Sequence, residues 1–303
     1  MAQEGTDEGS RIWIPEGDDC WSSGDSIQDV VDAYSLFLEV CHPDHKKHFQ
    51  DRLAADPDTA KAEAVVFSWL RLRGSNPQLA ESPSTGGIDY LCVPESSPLF
   101  LIEVTSLNRD AVEQRSGWPD QLDERAHAFS MITPNLWSKA RIKAPQLGNH
   151  VVPRILAITL THIGASALLG TLAAEWMMMS EPKIQVPIAL SGQPGPTRTV
   201  TDLRKAAFIR LQNHSVVPVL QSISAVLLIA IWDTQLEVVG LLHPEPAVPF
   251  IYGVFDDVPF LRIEWPVRQG ILRREWVVAH PSPARYYHSK VRITDAELKG
   301  NIT

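Results

Sequence analysis

Between Ser26 and Glu39, apolar side chains fall at Ile27, Val30, Val31, Tyr34, Phe37 and Leu38, the spacing of one buried helical face. Asp56 followed by Pro57 signals another helix start, and Gly74 a stop; Glu63, Val66, Phe67 and Leu70 lie between them. Cys41-His42-Pro43-Asp44 reads as a further helix start, with Asp44 near the cap. The pattern then changes. Ile88–Val93 and Leu99–Thr105 are short apolar runs joined by Pro94-Glu95-Ser96-Ser97-Pro98, a turn sequence, which predicts a hairpin. A strand near Gln78–Ser82 is expected to precede it. Residues 106–130 are polar and carry no clear period. Thr133-Pro134 starts a helix expected to reach about Ala144, and Val151–Thr161 is an apolar, β-rich run expected to be a buried strand.

In the second half, Ser166–Met179 and Asp202–Asn213 read as helices, the latter starting at Thr201. Ser222–Trp232, Leu236–Leu241 and Phe260–Trp265 read as strands. The order predicts an α/β protein in four parts: an acidic, mobile tail over 1–25, an N-terminal helical segment over 26–56, an α/β core over 57–161, and an α+β extension packed on that core over 162–303.

Composition narrows the class. At 303 residues, 44% hydrophobic and 21% charged, the chain suits one large or two small globular domains. Its three cysteines, Cys20, Cys41 and Cys92, form no paired motif, which argues against a disulfide framework and for a reducing, cytoplasmic setting. The two longest apolar stretches, Ser166–Met179 and Val216–Trp232, are short or interrupted by polar residues and are expected to be core, not membrane spans. The net charge is −9, but eight acids and one base in residues 1–29 supply −7 of it. The remainder is close to neutral, with Lys139, Arg141, Lys143 and Arg154 forming a basic stretch free of acids from Leu136 to Arg154. That distribution permits a polyanionic partner.

The chemistry concentrates in the hairpin. Each apolar run carries one carboxylate, Asp89 in Gly86-Gly87-Ile88-Asp89-Tyr90 and Glu103 in Leu101-Ile102-Glu103-Val104-Thr105. With the turn symmetric about Ser96, Asp89 lies opposite Glu103, about 5 Å away on one face, with Thr105 on the same face. Carboxylates this close repel unless a proton or a cation lies between them, and a divalent ion held by oxygen ligands is the natural occupant.

Glu63 on a helix, Asp89 at a strand start, Glu103-Val104-Thr105 on the next strand, then a helix and a further strand form an ordered set. This set resembles the PD-(D/E)XK nuclease superfamily, over about residues 57–161. The resemblance implies a restriction-endonuclease-like core, a mixed sheet flanked by helices, and a Mg²⁺- or Mn²⁺-dependent nuclease acting on nucleic acid, DNA in the first place. It implies Asp89 and Glu103 as metal ligands, Glu63 as a ligand directly or through water, and the Val104 carbonyl as a further ligand. Two positions depart from the family pattern. Gly87-Ile88 stands where a proline is common, and Thr105 replaces the lysine of Glu-x-Lys. Some members supply that lysine from the following helix, often with a nearby glutamine. Lys139, Lys143 and Gln146 have the spacing of one helical face, and Lys143 with Gln146 is the preferred surrogate, although Pro145 disfavours helix at Ala144.

Two rival readings remain beside the nuclease: a degenerate nuclease fold that binds nucleic acid or a protein without cutting, and a non-nuclease hydrolase or structural module. The chain has no Gly-rich phosphate loop and no G-x-S-x-G motif, which weighs against the last. The sequence leaves oligomeric state open.

Overall fold

The structure is a computed structural model that describes residues 26–81, 87–116, 128–148, 150–162, 164–188, 193–232, 235–279 and 289–293. The expected acidic tail over 1–25 lies outside these, as does Gly86. Three helices come first: α1 (Ile27–Cys41), α2 (Pro43–Ala55) and α3 (Pro57–Leu72). Ser26 caps α1 in a reciprocal box with Asp29, and Asp56 caps α3 by accepting from the Thr59 N–H. The chain leaves α3 through Gly74, whose φ of +64° is the left-handed geometry that glycine adopts at little cost.

Then follow β1 (Pro77–Leu79), β2 (Tyr90–Cys92), β3 (Phe100–Ser106), α4 (Arg109–Ser116), α5 (Ala128–Leu147) and β4 (Arg154–Thr161). The second half contains α6 (Ala165–Leu169), α7 (Thr171–Met179), β5 (Lys183–Gln185), β6 (Arg198–Thr201), β7 (Ile209–Gln212), β8 (Ser215–Pro218), β9 (Ala225–Trp232) and β10 (Gln235–Leu242). The chain ends its described part with β11 (Phe260–Ile263), β12 (Ile271–Val277) and β13 (Ser289–Ile293).

These elements form a mixed α/β fold. Among the described residues, eleven strands join one sheet in the order β1-β2-β3-β4-β9-β10-β11-β12-β13-β6-β5. β3, β4 and β9 run parallel at its centre, flanked by antiparallel neighbours. β4 and β9 are buried on both faces, which explains their largely apolar sequences. On one face, α5, α6 and α7 cover Leu101, Leu156, Ile158 and Leu228; on the other, α1 and α3 cover Ile102, Val104, Ile155 and Leu227. β9 pairs directly with β4, so the second half extends the same sheet. At Gly240 of β10, an added Cβ would lie 2.2 Å from the Phe260 ring, so only glycine fits against that side chain.

Three local expectations are corrected. Asp202–Asn213 is not helical: β7 and β8 form a hairpin there, turning at Asn213 and His214, both with positive φ. A two-residue turn of this kind suits strand twist, and buried Ala206, Ala207, Phe208 and Ile209 run consecutively, not at helical spacing. Ser166–Met179 is two helices, broken at Gly170, where a Cβ would meet the Ser166 carbonyl at 2.7 Å. Finally, α5 starts upstream of Thr133-Pro134 and continues past Ala144, with both Pro134 and Pro145 inside it. Each proline costs a backbone hydrogen bond. The buried face of Leu136, Ala140, Ala144 and Leu147 packs on the sheet and outweighs that loss.

Candidate active site

β2 and β3 pair with Tyr90 opposite Ile102; continued by one residue, this register sets Asp89 opposite Glu103. The ladder ends at Tyr90, so the Val104 N–H on the β2 side lacks a strand partner. The Asp89 carboxylate takes its place, accepting from that N–H at 2.6 Å. N–H and C=O of one strand residue point the same way, so the Val104 carbonyl also faces this side. Glu103 and Thr105 share the face covered by α5. There the Lys143 Nζ pairs with Glu103 Oε1 at 2.7 Å, and the Lys139 Nζ donates to Thr105 Oγ1 at 3.2 Å. Gln146 is exposed in the last turn of α5 and is not among the hydrogen-bonding partners of Asp89 or Glu103.

Glu63 reaches the site from α3 on the other face. Its Oε1 accepts from the Tyr34 hydroxyl at 3.1 Å, and its Oε2 pairs with Arg52 at 2.5 Å. Tyr34 and Tyr90 hydroxyls meet at 3.0 Å, and the Tyr90 hydroxyl also donates to the Glu63 carbonyl. Arg52 reaches a second carboxylate, Glu81, at 3.2 Å. Sequence reasoning did not find Arg52, Glu81, or the roles of Tyr34 and Tyr90. Tyr34 was legible in part: a tyrosine in a buried helical stripe needs a partner for its hydroxyl.

The electrostatics follow from crowding acids in a dry place. Burial, then the charges of Glu103 and Glu63, push the Asp89 carboxyl well above the ordinary range, against the Val104 N–H, which favours the anion. Glu103 is also raised, chiefly by burial, with the Lys143 hydrogen bond opposing. Glu63 is pushed up to about 7 by burial, partly offset by Arg52 and Tyr34. Burial and the neighbouring Lys143 charge lower the Lys139 ammonium.

A divalent cation fits this donor set in one specific respect. Glu103 is only 3% exposed, and its Oε2 is buried without a hydrogen-bond partner. An orphaned carboxylate oxygen at such a place is costly unless a cation meets it. The Val104 carbonyl and Asp89 lie on the adjoining side. Among the described residues, no three His, Cys, Asp or Glu side chains form a ready metal cage. A site of two carboxylates and a carbonyl would leave several positions to water, which is the habit of Mg²⁺. A groove of about 1370 Å³ lined by Phe37, Arg71, Gln78 and Glu95 shares no residue with this cluster.

Comparison with protein-family models, with curated proteins and with solved structures yields no match to this chain. Among the described residues, no helix is long and apolar enough to cross a membrane.

Proposed function

We propose that the chain is a metal-dependent phosphodiesterase of the PD-(D/E)XK nuclease type, with a restriction-endonuclease-like core, acting on DNA. The observation that carries this reading is the closeness of two buried carboxylates, Asp89 one residue beyond the Tyr90–Ile102 pair and Glu103 on β3, with two lysines of α5 directed onto Glu103 and Thr105. Asp89, Glu103 and the Val104 carbonyl would hold one Mg²⁺ or Mn²⁺. When bound, the ion would activate water and offset charge on the phosphoryl oxygens.

The two lysines divide the work. Lys143 pairs with Glu103, opposing the effect of burial on that carboxyl and orienting it toward the proposed ion. Lys139 meets the hydroxyl of Thr105, so its ammonium reaches the strand position where the family carries lysine. It is the group placed to clamp a phosphate oxygen as negative charge grows there. This assignment reverses the preference that spacing alone gives to Lys143, because the Lys143 ammonium is already engaged by Glu103. Glu63, behind Asp89, adds negative charge that favours cation binding.

The binder reading draws on Thr105 and on the absence of a ready carboxylate cage among the described residues. The test is cleavage of labelled single- and double-stranded DNA and of RNA with Mg²⁺ or Mn²⁺. Cleavage of DNA that stops with a chelator and with Asp89→Ala or Glu103→Ala supports the enzyme. Binding without cleavage of any substrate supports the degenerate fold.

A further inference from the structure

Arg52, in the last turn of α2, places one guanidinium between two carboxylates from different elements. One nitrogen lies 2.5 Å from Glu63 Oε2 and another 3.2 Å from Glu81 Oε2. The side chains are nearly enclosed, at 20%, 10% and 19% exposure for Arg52, Glu63 and Glu81. Tyr34 occupies the other oxygen of Glu63. A positive group bridging two enclosed carboxylates beside Asp89 has the placement that a second divalent ion would otherwise take.

We infer that the Arg52 guanidinium replaces a second metal ion, so that the site binds a single divalent cation at Asp89 and Glu103. This rests on the metal-site reading above and adds the stoichiometry. Arg52 is thereby a positioning residue: it holds Glu63 and Glu81 away from the ion while letting their charge act on it. Arginine suits this role because its planar fork stays charged and can meet two acceptors at once.

The test is a Mn²⁺ titration of the full chain, with free Mn²⁺ read by electron paramagnetic resonance and folding checked by circular dichroism. The wild type should bind one ion tightly, and Asp89→Ala or Glu103→Ala should remove it. Arg52→Ala should raise the stoichiometry to two by releasing Glu63 and Glu81. Arg52→Lys, which keeps the charge, should stay at one, as should the double variant Arg52→Ala with Glu63→Gln. Two ions in the wild type overturn the inference, even where Arg52→Ala fails to fold. So does a single ion in a folded Arg52→Ala. No ion in the wild type, or binding indifferent to Asp89→Ala and Glu103→Ala, overturns the metal-site reading itself.

Discussion

Replacing Lys143 with methionine removes the charge that faces Glu103 while keeping much of the side chain's apolar length. Glu103 has a side-chain exposure of only 4%, and its second oxygen already lacks a partner. The variant therefore leaves a carboxylate in a dry site with no opposite charge against it and only the Asp89 backbone N–H favouring its anion. Breaking such a pair usually costs about 3–5 kcal/mol. Here the cost has a ceiling, because the carboxyl can take up a proton. Protonating a carboxyl of ordinary pKa about 4.3 at pH 7 costs about 3.7 kcal/mol, at about 1.4 kcal/mol per pH unit. The loss at pH 7 should therefore be about 3–4 kcal/mol and should shrink by up to ~1.4 kcal/mol for each unit that the pH falls toward 5. The direction follows from a folded-state pKa above the unfolded one: the native chain keeps a proton that the unfolded chain releases, so stability is lost as pH rises. Urea unfolding of wild type and variant at pH 5, 6 and 7, without metal, measures the difference. The double variant Lys143→Met with Glu103→Gln should recover most of the loss at pH 7. A loss independent of pH, or one under about 0.5 kcal/mol, would refute the reasoning. It would mean that Glu103 is solvated or that Lys143 acts only through its packing.

Glu63, with its pKa pushed up to about 7, gives a second pH effect. Its contribution to stability is full below about pH 4.3 and lost as pH rises through 7, so Glu63→Gln should flatten the stability profile of the metal-free protein across that window. An unchanged slope in urea unfolding would place the ionisation elsewhere. Lys139→Ala should lower DNA cleavage by about 10²–10³ while leaving Mn²⁺ binding intact, as loss of one charge-stabilising donor does; equal rates in single-turnover assays would remove Lys139 from the chemistry. Gly240→Ala should destabilise the fold by about 3 kcal/mol or more, because the new methyl would overlap the Phe260 ring, and a melting temperature within a degree of the wild type would contradict that packing.

The legible parts of this molecule were those where one local signal had no competitor. Ser26 and Asp56 sit at helix starts because their side chains cap free N–H groups, and the capping signal is local. The hairpin register was readable because the turn sequence is short and symmetric about Ser96, which alone sets Asp89 opposite Glu103. The alternation of Leu101, Glu103 and Thr105 toward α5 follows from strand geometry. What was not legible depended on distant parts of the chain. The run from Asp202 to Asn213 has enough apolar residues for a helix, yet the Asn213-His214 turn folds β7 against β8, and consecutive Ala206, Ala207, Phe208 and Ile209 all enter the core. α5 passes through two prolines because its buried face is stabilised by the sheet, a contact absent from any short window. Glu81 and Arg52 carry no motif. Arg52 meets Glu63 only because α2 packs on α3, and it meets Glu81 only because the chain after β1 returns to it; the charge of Glu81 is felt at Glu63, Asp89 and Glu103 alike.

The most direct test of a metal-dependent site at the hairpin is anomalous diffraction from crystals of the full chain grown with Mn²⁺, compared with crystals of Glu103→Ala. The account predicts one manganese peak about 2.1–2.3 Å from an oxygen of Asp89, from Glu103 Oε2 and from the Val104 carbonyl, with no peak there in the variant. A wild-type map without manganese between Asp89 and Glu103, or with its manganese bound elsewhere, would contradict it.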